Sequence, residues 1–242
     1  MCTVLLRFAP GEPWPVVFGA MRDEFADRAW DPPGRHWNGD RAHLVGGRDR
    51  TAGGTWLAVD HARPAAAALL NGRPRPPLHE GARPTRGDLA LRILANGDLP
   101  DELADYDRFH LLLAELDHVE LWTWDGESLE HQEIGAGPHV IVNAGLDTVA
   151  DPLVPHFSPR LAALPATADL HLDAAAASWR ALLQGDGLDP DDERALVVRK
   201  QIGGRPYAST SAAVVALSAA GVRYDFNPAP GQLAGWVRIP MP

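Results

Sequence analysis

One cysteine and one lysine, Cys2 and Lys200, are all that a chain of 242 residues contains of either type. A lone cysteine closes no intrachain disulfide, so nothing ties the chain to an oxidising compartment. There is no cysteine cluster and no H-E-x-x-H among the scattered histidines, which excludes the standard zinc signatures. G-x-x-x-x-G-K-[ST] and G-x-S-x-G are both missing, so neither a phosphate-cradling loop nor a nucleophile elbow is expected. No apolar run approaches the roughly 20 residues of a membrane helix. The opening MCTVLLRFAPGEPWP is too short in its apolar part for a signal peptide and is broken by Arg7. Positive charge is also short: Lys+Arg total 22 against 32 Asp+Glu, a net of −10. Such a chain repels phosphate backbones and anionic bilayers. The expectation is a cytoplasmic protein with a small-molecule partner, no nucleic acid and no stable membrane insertion.

What is present reads as a single domain over residues 1–242, built of hairpins with helices between them. Thr3–Phe8 is strand-like in its β-branched and aromatic residues, Pro10-Gly11-Glu12-Pro13 carries turn chemistry, and Trp14–Ala20 resumes an apolar strand. Residues 30–42 and 72–86, rich in Pro, Gly and Arg, read as loops. Gly46-Gly47 and Gly53-Gly54 bracket a turn before a strand at Thr55–Asp60. Ala65–Leu70 fits either a helix or a buried strand. A short helix is expected at Asp88–Asn96 and a helical turn at Pro100–Tyr106. An antiparallel meander follows over Arg108–Leu116, His118–Trp124 and Ser128–Glu133, with a further strand at Gly137–Val142. Residues 157–185 are helical by composition, and 190–199 begin with Pro and acids as a helix would. Ser209–Leu217 and Val222–Phe226 close the chain as a hairpin.

One residue carries chemistry by its position. With Met1 removed, Cys2 offers a thiol and a free α-amine on the same residue. The amine, whose ordinary pKa is about 7.7–8.0, takes the thiol proton, and the thiolate attacks a carbonyl. The competing reading is a small buried cysteine at a strand start. If the hairpin turns near Gly11-Glu12, facing residue numbers sum to about 23. Cys2 then lies opposite Met21, with Arg22 and Asp23 within reach. A carboxylate holds an N-terminal ammonium, and a nearby cation lowers a thiol pKa.

The segments MCTVLLRF, MRDEFADR, GGRD, GGTWLAVD, VIVNAGLD and YASTSAAVVAL together resemble the NRDE family (transport and Golgi organization protein 2-like) along the full length. That family is similar to the cysteine N-terminal nucleophile hydrolases, αββα sandwiches of two mainly antiparallel sheets. The resemblance implies an α+β fold of this kind, with Cys2 as nucleophile at the start of a central strand. It implies Arg22 and Asp23 beside Cys2, Asn71 at the oxyanion position, and Asn143 orienting the amine or substrate. From the residues alone, Asn71 and Asn143 each end an apolar strand, where an amide serves an oxyanion or simply a turn. Two departures stand out: Met21 replaces the usual first Asn of the motif, and Tyr207-Ala208-Ser209-Thr210-Ser211 lacks the usual following Arg. With Trp14, Phe18, Met21 and Trp56 near the site, an apolar acyl group is expected. The implied activity is hydrolysis of a non-peptide carboxamide or ester, an amidohydrolase of linear amide C–N bonds, with no cofactor. The alternative is a non-catalytic carrier of the same fold, holding haem as cargo or a lipid or acyl-CoA ligand. For haem, His36 and His43 are the histidines nearest the motifs.

Overall fold

The computed structural model describes residues 3–73, 83–165 and 172–241. In chain order, β1 (Thr3–Phe8) and β2 (Val16–Phe25) form a hairpin, followed by β3 (Trp30–Gly34), β4 (Leu44–Asp49), β5 (Leu57–Asp60) and β6 (Ala65–Asn71). Helix α1 (Gly87–Asn96) precedes the meander β7 (Phe109–Ala114), β8 (Val119–Trp124) and β9 (Leu129–Glu133). Next come β10 (Gly137–Val142), β11 (Gly145–Leu146), helices α2 (Leu153–Ala162) and α3 (Leu172–Leu182), and β12 (Arg199–Ile202). The chain closes with β13 (Arg205–Ser218), β14 (Gly221–Asn227) and β15 (Val237–Arg238).

Two antiparallel sheets result. The first runs β11-β10-β1-β2-β13-β14-β15, with β12 added on β13; the second runs β3 to β9 in sequence order. Strand alternation gives each sheet two apolar faces. Val4, Leu6 and Phe18 of the first sheet meet Leu57, Leu70 and Leu112 of the second in a shared core. The opposite face of the first sheet, with Leu5, Val17 and Val214, is covered by Phe157 of α2 and by Trp179 and Leu183 at the α3 end. Leu89, Ile93 and Leu94 of α1 cover Ala67 and Leu111 on the outside of the second sheet. The layers are therefore helix, sheet, sheet, helix, the α+β sandwich that the sequence implies. Among the described residues no helix is long and apolar enough to cross a membrane.

Several local expectations are corrected. The β1–β2 register pairs Thr3 with Met21 and Phe8 with Val16, one residue away from the expected pairing. The turn is wide, closed by Ala9 N–H donating to Pro15 O at 2.7 Å, and its centre lies beyond Gly11. Trp30–Gly34 is a strand despite Pro32 and Pro33, because it is a sheet edge and its pairing with β4 is irregular between Asp31 and Gly34. Gly46 and Gly47 lie inside β4 rather than in a turn. Ala65–Leu70 is strand, paired on both sides. Pro100–Tyr106 and 190–199 are not helical. In the latter, the Asp189 and Asp192 carboxylates accept bonds from the Asp191 and Arg194 N–H groups, both at 2.9 Å. Those local bonds compete with helix. Most of the 72–86 loop lies outside the described residues.

On the helix-facing side of β14, Asp225 is fully buried. It accepts from Arg180 at 2.6 Å and from Arg223 at 2.9 Å. Arg223 in turn donates to Asp173 of α3 at 2.7 Å. These contacts pin α3 to the sheet. Asp225→Asn leaves Arg223, with only 3% of its side chain exposed, without its buried carboxylate. The expected loss is about 3–5 kcal/mol of unfolding free energy, read from urea denaturation of the variant against wild type.

Candidate functional site

The site begins at the end of the β1–β2 hairpin. Phe18 and Ala20 of β2 face the inter-sheet core, whereas Val17 and Met21 face the helices. Alternation sends Arg22 to the inter-sheet side and Asp23 to the helix side. Both are buried, at 3% and 7% exposure. A β-bulge in β13, where Ser209 pairs with Asp23 and Ser211 with Arg22, pushes Thr210 out of register. Arg22 Nη1 donates to Thr210 Oγ1 at 2.7 Å, and that hydroxyl donates back to the Arg22 carbonyl at 3.2 Å. The guanidinium lies 4.4 Å from the centre of the Trp56 ring and 3.7 Å from Glu24. Asp23 accepts from Ser209 Oγ at 2.5 Å.

The glycine-rich motifs explain where Trp56 sits. A Cβ on Gly47 would overlap the six-membered ring of Trp56, and one on Gly54 would strike the Gly87 backbone. Gly47 thus gives the indole its room, and Gly54 lets the loop before β5 lie against the start of α1. Thr55 N–H donates to Gly87 O at 3.0 Å across that contact.

Between these elements opens a cleft of about 670 Å³, within the range of small-molecule sites. Arg22, Trp56, Leu69 and Asn71 line it, together with Phe25, Arg86 and Arg205. Asn71, the last residue of β6, keeps its carboxamide free of hydrogen bonds among the described residues. Asp23 and Asn143 are not part of the described wall. Of the residues expected around Cys2, Arg22 and Asn71 share this cleft, and Cys2 itself lies outside the described residues. Of the expected apolar neighbours, only Trp56 lines the cleft. Phe18 is buried between the sheets, while Trp14 and Met21 pack on the helix side. Met21 in place of a polar residue therefore serves the core beneath the helices.

Charge dominates the rim. Arg28 pairs with Asp49 at 2.6 Å, Arg205 with Asp27 at 2.7 Å, and Arg83 with Asp107. Arg205 also covers the Phe25 ring at 4.0 Å, so an arginine does reach the cleft from the closing strand, ahead of Tyr207 rather than after the small residues. Sequence reasoning missed Arg86 and Arg205, because no spacing signal joins segments that only the fold brings together. No histidine is among the described lining residues: His36 bonds Pro32 O at 2.8 Å, and His43 faces Asp60 at 3.5 Å.

Asn143 follows β10 and is held from the other sheet. Its carbonyl accepts from His110 Nε2 at 3.2 Å. That bond requires the proton on Nε2, so Nδ1 accepts from Thr123 Oγ1 at 2.9 Å. Burial pushes the His110 pKa down, only partly opposed by the bond to Asn143.

The fold is that of the N-terminal nucleophile hydrolases. The structure is similar to the Caenorhabditis elegans ortholog of N-acylethanolamine-hydrolyzing acid amidase. The TM-score is 0.52 at 9% identity, over 99% of this chain and 100% of that one; at this identity the likeness concerns the fold. In sequence, the Transport and Golgi organisation 2 family matches residues 1–195, and the chain belongs to that family. No curated protein matches it in sequence.

Two outcomes follow from this geometry. Gly47→Ala and Gly54→Ala should each cost about 1–3 kcal/mol, the usual range for overpacking. Denaturant titration checks this, and an unchanged midpoint for Gly47→Ala would show that Trp56 is not confined. For His110 the folded pKa lies below the unfolded one, so the unfolded chain binds more protons as pH falls below about 6.5. Its contribution is complete above that pH and is lost below it. The pH dependence of unfolding free energy should therefore flatten between pH ~7.5 and ~5 in His110→Gln relative to wild type.

Proposed function

We propose that the chain is a cysteine N-terminal nucleophile hydrolase that cleaves a non-peptide carboxamide or ester. The observation that carries this reading is the buried Arg22, clamped beside the first residues of β1 and facing a ligand-sized cleft. Thr3 pairs with Met21, and Cys2 is one peptide unit, about 3.8 Å between Cα atoms, from Thr3. Even-numbered residues of β1 face the inter-sheet side, and a strand continued by one residue would send the Cys2 thiol to the same side as Arg22.

With Met1 removed, the α-amine of Cys2 accepts the thiol proton. The sulfur then attacks the substrate carbonyl carbon and pushes its π electrons onto oxygen. The Arg22 cation favours the thiolate. The Asn71 carboxamide donates to the oxyanion, a contribution of about 3–4 kcal/mol for a well-placed donor in a dry site. Collapse expels the amine or alcohol, which leaves with the proton from the α-ammonium. Water then adds to the thioester and gives a proton to the amine. The sulfur leaves, is reprotonated, and the carboxylic acid departs. Asp23 holds the α-amine in place, and Asn143 orients the amine or the substrate. Trp56, Leu69 and Phe25 take an apolar stretch of substrate. A free thiol asks for a reducing compartment, which fits the cytoplasm.

The test is intact-mass analysis of purified protein before and after incubation with p-nitrophenyl octanoate. Loss of Met1 and one octanoyl adduct on Cys2 are expected, with no adduct on Cys2→Ala and a burst of nitrophenolate lowered at least tenfold in Asn71→Ala. Retained Met1 without an adduct on folded protein would overturn the enzyme reading. Haem or acyl-CoA binding by that same protein would put the carrier in its place.

A further inference from the structure

Among the described residues the cleft lining contains Arg22, Arg28, Arg83, Arg86 and Arg205 against Glu24, Asp27, Asp49 and Asp107, one guanidinium more than carboxylates. The unmatched one can be named. Arg28, Arg83 and Arg205 each have an aspartate, and Arg22 has Glu24 besides Thr210 and the Trp56 ring. Half-buried Arg86 has no carboxylate within salt-bridge reach among the described residues. Its hydrogen-bond partner is the Arg108 carbonyl, to which Nη1 donates at 2.8 Å. A guanidinium has five N–H donors, and Arg86 lines the cleft with no carboxylate partner among the described residues. Burial pushes Arg86 below its ordinary pKa, with the Arg28 and Arg83 cations acting in the same direction and Glu24 opposing; it nonetheless stays a cation.

We propose that Arg86 binds a single carboxylate on the substrate, so that the ligand of this cleft is a monoanionic amide or ester with its acid group away from the scissile bond. One negative charge cancels the excess of the lining, whereas a phosphate dianion leaves the cleft negative. A carboxylate also matches the planar fork with two parallel hydrogen bonds. The apolar surface of Trp56 and Leu69 and the carbonyl-facing amide of Asn71 then take the remainder of the molecule. This inference rests on reading the cleft as a substrate site, but not on turnover.

The experiment is calorimetric binding to full-length Cys2→Ala protein, so that hydrolysis does not intrude. The probes are N-octanoylglycine and its neutral N-methylamide, which differ in one charge. The acid should bind roughly tenfold tighter, the worth of a charge-assisted hydrogen bond. Arg86→Gln should remove that preference while leaving the affinity of the N-methylamide unchanged. Arg86→Lys should retain a reduced preference, and it decides the matter if the Gln variant does not fold. Equal binding of the two probes, no binding of the acid, or a preference that survives in Arg86→Gln each overturns the proposal. Inorganic phosphate displacing the acid more readily than acetate does would also overturn it, in favour of a dianion. A protein that fails to acylate yet binds the acid through Arg86 refutes the hydrolase and keeps this inference. One that acylates but ignores charge does the reverse.

Discussion

The site depends on holding one cation between two sheets. Taking a guanidinium out of water costs several kcal/mol unless its charge and N–H groups are answered. Arg22 is answered from three directions: by the Trp56 face from the second sheet, by Thr210 from the bulged β13, and at longer range by Glu24 on its own strand. A desolvated cation–π contact is worth about 2 kcal/mol, and a hydrogen bond from a charged donor about as much again. The cation–π contact does not exist until the sheets have packed, whereas the Thr210 bond forms within the first sheet as β13 pairs with β2. The arrangement therefore couples the cleft to the global fold: the same packing that closes the inter-sheet core fixes the direction of the arginine beside the start of β1.

That coupling gives the glycines and the bulge a common purpose. Gly47 clears the indole's position, Gly54 brings the preceding loop against α1, and the extra residue at Thr210 turns a regular ladder into a side-chain clamp. A regular strand at any of these points would pair equally well with its neighbours and would leave Arg22 without its partners. The bulge in β13 thus falls beside this one side chain, as bulges next to sites commonly do.

Much of the framework was legible in the sequence because alternation and turn residues act locally. β1, β10 and the β7–β9 meander follow directly from such patterns. The misreadings share a physical cause, since each needed a partner far away in sequence. Gly46-Gly47 looks like a turn unless Trp56 is known to press on it. Pro32-Pro33 looks like a loop unless the strand is known to be an edge. The alanines of β6 are ambiguous until strands pair on both sides of them. At the site, Arg22 and Asn71 were visible through family motifs, and the structure places both on one cleft. Asp23 was visible in the same way but turns to the other face by simple alternation. Arg86 and Arg205 were invisible, since one sat in a stretch dismissed as a loop and the other preceded the segment in which an arginine was sought.

The contrast between the whole chain and its cleft has a consequence for selection. The protein carries a formal net charge of −10, so at long range it repels an anion rather than steering it in. At physiological ionic strength that repulsion fades over about 8 Å. A cleft with one excess guanidinium acts only once a ligand is already inside, where water is partly excluded and each charge counts for more. Discrimination then falls on dissociation rather than encounter, and it rewards geometry. A planar fork, weakly hydrated and able to stack on Trp56 or Phe25, loses less on entering a half-dry wall than a compact ammonium does. The cations of the rim are paired with their own aspartates, whereas Arg86 has a carbonyl and no carboxylate among the described residues.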